Sequence, residues 1–326
     1  MRDDLIDAIL VKSPWASWAK TPIAGDASAR RYFRLVGPER QSLILMDDPP
    51  NGTNATTRFA DITNALTNAG LIAPNILLHD AALGLMVIDD LGATDFAAHL
   101  ASQPMDEPEL YSAATDILAQ LHLQSFSLPL ATITPPIAAE MIGLATEFYS
   151  PTTNGADALS AAMLTSYAKI VDPTPHLALR DFHAENLIWQ SDTTERKTVG
   201  LLDFQDACYA PAGYDLMSLL RDARRDVDPL VADKSIRQFC DLIGKGSDEM
   251  SGHLACVAAQ RNLRILGIFA RLAKVDGKVK YLSLLPRVWA HLILDLSHPA
   301  LADLKRVVLA ILPPPNAETL TRLSAK

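Results

Sequence analysis

Cysteine is scarce in this chain, and its placement is as informative as its number. Cys208, Cys240 and Cys256 are odd in count, far apart and never in a CxxC pair. They offer neither a disulfide framework nor a ligand set for zinc, and they suit a reducing compartment. No run of about 18 apolar residues occurs, so there is no transmembrane helix to propose. The opening residues, MRDDLIDAIL, carry acid where a secretory signal would carry base. A soluble cytoplasmic protein is the expectation. Base is in deficit overall, with 29 Lys and Arg against 38 Asp and Glu and a formal net charge of −9. General affinity for nucleic acid or an anionic membrane is therefore not expected, and an anionic substrate would need a local basic patch. The P-loop pattern GxxxxGK(S/T) is missing; Gly244-Lys245-Gly246-Ser247 lacks the upstream glycine and reads as a loop between helices. HExxH, GxSxG and GxGxxG are missing too. Zinc hydrolases, the usual serine hydrolases and dinucleotide oxidoreductases are thus left without support. There is no internal repeat, low-complexity tract or long linker.

What is present is ample apolar material. The chain has 326 residues, 49% of them hydrophobic and 21% charged. That is about twice a common domain length of ~150, so two lobes or one large domain are expected. Tyr32–Val36 and Leu43–Met46 read as strands around the turn Gly37-Pro38, and Ile76–Leu78 with Leu85–Ile88 as a second pair around Leu83-Gly84. Between them Phe59, Ile62 and Leu66 have helical spacing over Arg58 to Ala69, stopped by Gly70. From Asp106 onward the pattern becomes helical: Leu110, Ile117, Leu118 and Leu121 share one face, and Leu263, Leu266, Phe269 and Leu272 another.

One stretch interrupts the helices. LALRDFHAENLIWQ, from Leu177 to Gln190, is followed by a polar turn and then by VGLLDFQDA. The two apolar runs read as an antiparallel ribbon centred near Thr194, which sets Asn186 across from Asp203 and brings Asp181 to the same end. A carboxylate, an amide oxygen and a second carboxylate make a hard-oxygen site suited to Mg2+, which takes few protein ligands and shares substrate phosphates. Phosphoryl transfer needs this set: Asp181 to position the attacking hydroxyl and accept its proton, Asn186 and Asp203 to hold the metal. Alone, Asp181 would read as a turn residue. The joint order D-x-x-x-x-N, apolar run, polar turn, apolar run, Asp-Phe is what points to catalysis. His183 is expected to support the loop structurally.

RDFHAEN followed by LLDFQDA resembles the catalytic and metal-binding loops of the aminoglycoside phosphotransferase-like small-molecule kinases, and the resemblance covers most of the chain. It implies an α+β, bilobal, protein-kinase-like fold. Residues 1–92 would form an antiparallel-sheet nucleotide lobe, and 93–326 a mainly helical catalytic and substrate-binding lobe. It also implies ATP and Mg2+ as cofactors, with a hinge at Asp89–Gly92 that sets Asp89 and Leu91 against the nucleotide. GDASARRYFR, ILMDDPP and FQDACYAPAGYDLMSLLRDARRDV are similar to a narrower group, the bacterial anomeric kinases of N-acetylmuramate and N-acetylglucosamine. That likeness implies phosphorylation of the C1 hydroxyl of a cell-wall amino sugar during recycling. Kinases of the same fold acting on aminoglycosides or other small alcohols, and a non-catalytic nucleotide binder, are the alternatives.

The chain departs from the family pattern in places. Leu179 stands where many relatives have histidine, and Met46 where kinases commonly place a phosphate-binding lysine. The helix after it offers Asp61 but no glutamate to pair with such a lysine. The turn Ser28-Ala29-Arg30-Arg31 is the expected substitute, with backbone N–H groups from Ser28 onward and charge from Arg30 or Arg31; a solvated basic hairpin is the plainer alternative. Gln205 and Asp206 are expected at the sugar because they follow the metal carboxylate. Asp215, at the start of a helix, is expected to brace the catalytic loop. Arg224, from the Arg221, Arg224 and Arg225 cluster, and Arg261, from Gln260-Arg261-Asn262, are candidates for the lactyl carboxylate of N-acetylmuramate. For the cluster, a solvated helix face beside Asp222, Asp226 and Asp228 is the plainer alternative. Tyr281 and Trp289 are candidates to stack on a sugar, with core packing the plainer expectation.

Overall fold

The computed structural model describes residues 2–23, 30–50, 55–150, 155–190 and 198–325. Along the chain come α1 (Arg2–Val11), β1 (Ala19–Ile23), β2 (Arg31–Val36), β3 (Ser42–Asp47), α2 (Ala55–Asn68), β4 (Ile76–Asp80), β5 (Leu85–Asp89) and α3 (Phe96–Ser102). Next are α4 (Glu107–Leu123), α5 (Pro135–Met141), α6 (Ala156–Ile170), β6 (His176–Ala178), β7 (Leu187–Gln190), β8 (Thr198–Leu201) and β9 (Cys208–Ala210). The chain closes with α7 (Tyr214–Leu220), α8 (Pro229–Leu242), α9 (Ser247–Lys274), α10 (Leu285–Asp295), α11 (Ala302–Ile311) and α12 (Ala317–Ser324). Packing divides these into a strand-rich unit, Met1–Ser102 with Glu185–Gln205, and a helical unit, Gln103–Ala184 with Asp206–Lys326. Whatever the functional boundary at 92/93, α3 and the β7–β8 ribbon pack with the strands.

The strand-rich unit is built on an antiparallel sheet in the order β1-β2-β3-β5-β4. Strand alternation gives the sheet two distinct faces. Leu35, Leu43, Leu45, Leu85 and Val87 point to one face and bury Ile6 and Leu10 of α1 against it. Those two α1 residues are four apart and so share one side of the helix. α1 and β1 were not anticipated from sequence. Lys20 on β1 belongs to this α1 side, paired with Asp7 and lying 5.4 Å over the Phe33 ring.

Met46 is on the opposite face, aligned with Tyr32 on β2 and Met86 on β5. α2 starts three residues earlier than its apolar period suggested and buries Phe59, Ile62 and Leu66 as expected. Phe59 stacks on Phe204 with ring centroids 4.9 Å apart. The β7–β8 ribbon is stitched to this unit by Leu201 N–H to Ile72 O (2.8 Å), Trp189 N–H to Thr94 O (3.1 Å) and an edge contact of Trp189 with Phe96. Gly200 makes the close approach possible, since a Cβ there would come within 2.8 Å of Leu91 Cδ1.

The register of that ribbon corrects one expectation. Leu187 pairs with Leu201, and Leu202 N–H donates to Asn186 O at 3.0 Å, so Asn186 is opposite Leu202 rather than Asp203. A slip of one residue would turn every side chain to the other face, and here Gly200 would no longer meet Leu91. Asp203 falls two residues beyond the end of β8, with φ at +56°. The turn at Thr194 lies outside the described residues.

The helical unit is organised around α9, a 28-residue helix on which Leu263, Leu266, Phe269 and Leu272 are all buried. Each such side chain contributes about 1.5–3 kcal/mol of burial. Tyr281 packs on Phe269 at 5.1 Å and Trp289 on Tyr149 at 6.5 Å, which places both in or against this core. Residues 243–246 form the expected loop between α8 and α9. A short pairing of β6 with β9 frames the segment that leads to Asp181.

Candidate active site

The strand-rich unit carries Asn186 and Asp203 at the same end of the ribbon. Asp203 Oδ1 accepts from Gln205 Nε2 at 2.6 Å, and Gln205 is buried. Gln205, expected at the sugar, thus has its amide Nε2 engaged in bracing the Asp203 carboxylate. Tyr32 on β2 senses Asp203: burial first, and then that carboxylate, raise the phenol above its ordinary pKa, against the opposing pull of Arg30.

Beside Tyr32 lies a set of paired charges at the end of β3. Arg30 Nε donates to Asp48 Oδ2 at 2.7 Å, and its guanidinium is also hydrogen-bonded to Tyr32. Arg31 instead joins Arg2 in gripping the fully buried Asp47, and reaches Asp3 of α1 with its other nitrogen. Arg31 therefore ties α1 to β3, while Arg30 stands beside the tyrosine that feels Asp203. Gly84 shapes this corner: Asp48 N–H donates to Gly84 O at 2.9 Å, Gly84 has φ at +65°, and a Cβ there would come within 2.0 Å of Asp48 O. Ser28 lies outside the described residues. Met46 is 2% exposed, packed where a lysine was missing.

The segment Asp89–Gly92, expected as a hinge, is held by its neighbours. Asp89 Oδ2 accepts from Asn75 Nδ2 at 2.6 Å, Asp90 receives Arg34 Nε at 2.7 Å, and Leu91 O accepts from Gln190 Nε2 at 3.3 Å.

The helical unit carries Asp181 and its supports. Asp215, at the first turn of α7, accepts from Leu179 N–H at 2.5 Å and Arg180 N–H at 2.9 Å. Arg180 has φ at +72°, a conformation costing on the order of 1 kcal/mol, and the Asp215 bonds and Ser218 Oγ to Arg180 O (3.2 Å) hold it there. Leu179, noted above as a departure from the family pattern, thus contributes its backbone amide to Asp215. Burial pushes the Asp215 carboxyl up to about 6, against the two N–H donors. His183 is buried, and burial followed by the charges of Arg224 and Arg261 pushes its imidazole down to about 3, so it is neutral. Asp206 is exposed, with its carbonyl accepting from Arg180 Nη1 at 3.3 Å.

The arginines of this unit separate by partner. Arg221 pairs with buried Asp295 at 2.9 Å, and Arg225 with Glu107 at 2.9 Å and the Tyr111 hydroxyl. Arg224, one-third exposed, lies 3.9 Å from Asp222. Arg261 is 8% exposed and forms no ion pair among the described residues; its Nη2 donates to Ser218 Oγ at 2.6 Å. Burial lowers its pKa, while Tyr214, Asp181 and Asp222 act the other way. A guanidinium nonetheless remains charged.

Comparison with known proteins shows the family and the fold. The model of the phosphotransferase enzyme family (APH) matches residues 20–253. This chain belongs to that family. A protein named N-acetylmuramate/N-acetylglucosamine kinase from Caulobacter vibrioides is 33% identical over 91% of this chain and 93% of its own. One of the same name from Pseudomonas aeruginosa is 30% identical over 91% and 89%. Among solved structures, a choline/ethanolamine kinase family protein from Mesorhizobium loti superposes with a TM-score of 0.67 at 16% identity, covering 94% of this chain and 99% of that one. The GDP complex of aminoglycoside 2'-phosphotransferase-IIIa gives 0.67 at 12% identity, covering 90% and 99%. At such identities these structures speak for the fold, which is the protein-kinase-like fold of the family.

Three features of this phosphotransferase were not singled out from sequence. Tyr32 looked like an ordinary strand residue. Asp47 and Asp48 were visible only as the string ILMDDPP, without partners. Asp222 was read as an acid on a solvated face, yet it is 2% exposed. A paired acid beside a Pro-Pro, and an acid within an apolar helix end, were the available signals.

Proposed function

We propose that this phosphotransferase moves the terminal phosphate of ATP to the anomeric C1 hydroxyl of N-acetylmuramate or N-acetylglucosamine, in the cytoplasmic recovery of cell-wall amino sugars. The observation that carries this reading is the likeness to relatives of that name, at 33% identity over 91% of the chain. In the proposed reaction the Asp181 carboxylate takes the C1 hydroxyl proton as that oxygen attacks the γ-phosphorus. The new O–P bond forms, the bond from γ-phosphorus to the bridging oxygen breaks, and ADP leaves.

Asn186 and Asp203 would hold Mg2+. One amide oxygen and one carboxylate at the end of a ribbon fit an ion that keeps waters and substrate phosphates as its other ligands. Among the described residues no three His, Cys, Asp or Glu gather into a metal cage, and a phosphate-bound magnesium does not require one. When bound, the ion neutralises charge on the phosphates. Gln205 fixes the Asp203 carboxylate, and Asp215 fixes the loop that bears Asp181. Arg30 takes over phosphate binding from the missing lysine, and Asp89 to Gly92 meets the nucleotide base. Arg224, one-third exposed, would meet the lactyl carboxylate, and the exposed Asp206 a sugar hydroxyl.

Phosphorus NMR of the products tests the reaction. The free sugars should give sugar 1-phosphates, and their 1-O-methyl glycosides, which lack the nucleophile, should be inert. A 6-phosphate product, or equal turnover of the methyl glycosides, would reject anomeric transfer. Turnover confined to kanamycin-like acceptors would favour an antibiotic kinase.

A further inference from the structure

Arg261 and Asp222 each keep one buried polar atom without a hydrogen-bond partner among the described residues. On Arg261 it is Nη1, on a side chain whose Nη2 is already committed to Ser218. On Asp222 it is Oδ2, while Oδ1 accepts from Arg224 N–H at 2.9 Å. Both residues are more than nine-tenths buried. The two charges feel each other, and Arg261 also feels Asp181, yet Arg261 and Asp222 form no ion pair. Proteins rarely leave a buried donor and a buried acceptor unmatched and unjoined, because each has lost its water. Such a pair is explained if a ligand completes it.

We infer that Arg261 and Asp222 together read the 2-acetamido group of the acceptor sugar. Arg261 Nη1–H donates to the acetamido carbonyl oxygen, and the acetamido N–H donates to Asp222 Oδ2. The inference deepens the kinase reading above and rests on it. Its chemistry is selective: a secondary amide offers one acceptor and one donor, the complement of the two orphaned atoms. The lactyl carboxylate would suit Arg261 but be repelled by Asp222. A free 2-amine, charged at neutral pH, would satisfy Asp222 and be repelled by Arg261. Position agrees as well. Arg261 lies within the field of Asp181, the base for the C1 hydroxyl, and the substituent on C2 is the ring group next to the reacting carbon.

The test compares acceptors and variants. ADP release would be measured for N-acetylglucosamine, glucosamine and glucose, with the wild type, Arg261→Met and Asp222→Asn. Asp222→Asn presents a second donor where an acceptor is required, or else surrenders its bond to Arg224 N–H. The wild type should prefer N-acetylglucosamine to glucose by about a hundredfold or more in kcat/KM. Each variant should compress that ratio at least tenfold, a readout that a merely structural role would not move. Parallel loss with all sugars would overturn the inference. So would a wild type that uses glucose as well as N-acetylglucosamine, a result that decides the matter even if a variant fails to fold. Calorimetric binding of the same sugars separates the two levels. Selective binding of the N-acetyl sugar without any sugar phosphate product would sink the kinase reading and keep the subsite. Phosphorylation of all three sugars alike would do the reverse, and no sugar binding at all would remove both.

Discussion

The two units differ in the setting of one arginine. In the strand-rich unit Arg2 and Arg31 share Asp47, Arg30 holds Asp48 and Arg34 grips Asp90. In the helical unit Arg221 and Arg225 are likewise paired, but Arg261 is buried with no carboxylate joined to it. A partly buried ion pair can trade one anion for another when a phosphate arrives, so pairing by itself does not tell support from function. Location does. Arg31 connects α1 to β3, whereas Arg30 is bonded to Tyr32, the residue that feels Asp203. A buried guanidinium without an acid, by contrast, is a poor support for a fold, because its desolvation is uncompensated. The proposed division is therefore between exchangeable arginines for the phosphates and an incomplete, buried one for the acceptor.

The largest effect expected is at the base, which stands outside both sets of arginines. Asp181→Asn should lower kcat by about 10²–10⁴-fold with little change in nucleotide affinity, as single-turnover kinetics and calorimetry would report. Asp203→Asn should weaken Mg-ATP binding as well. Near-normal turnover in Asp181→Asn would reject the assignment of the base.

The next effect sharpens the contrast between neighbours in the strand-rich unit. Arg30→Ala should raise the KM for ATP about tenfold or more, with modest loss of stability. Arg31→Ala should cost about 1–3 kcal/mol in denaturant titration, because Asp47 is fully buried and keeps only Arg2. Met46→Ala should cost about 2–4 kcal/mol through lost packing. In both of these the KM for ATP should stay within about twofold. A harmless Arg30→Ala would end the substitute-lysine proposal. Lys20 would not replace it, since it is paired with Asp7 on the α1 side of the sheet.

The smallest effect is a pH dependence. Folding raises the Asp215 pKa from 3.8 to about 6 by burial, so the folded chain binds this proton more tightly than the unfolded one. Its contribution to stability is complete below pH 3.8 and is lost as the pH rises through about 6. The ionised form is the one that accepts both loop N–H groups, so kcat should rise over the window in which this increment of stability falls. Asp215→Asn should flatten that part of the melting-temperature profile and of the kcat profile, measured from pH about 4 to about 8. Unchanged profiles in the variant would assign the dependence to other groups.

Much of the candidate site was legible because it lies in one stretch of chain. Asp181, Asn186 and Asp203 fall in a fixed order around two apolar runs, and the α2 and α9 faces repeat with helical period. What was hidden depends on partners distant in sequence. α1 was not legible, because its burial of Ile6 and Leu10 exists only once the sheet does. β6 and β9 have three residues each, too few to show alternation. The ribbon register turned on Gly200 meeting Leu91, a contact more than a hundred residues apart in the chain. Asp222 looked solvated because its neighbours in sequence are charged, and the side chains that bury it come from elsewhere.

The division of labour is tested most directly by measuring the Michaelis constants for ATP and for N-acetylglucosamine, in saturating cosubstrate, on Arg30→Ala and Arg261→Met. The account predicts a crossed result: Arg30→Ala raises the constant for ATP about tenfold while leaving that for the sugar within about twofold, and Arg261→Met does the opposite. Both constants rising together in either variant, or Arg261→Met acting on ATP alone, would contradict it.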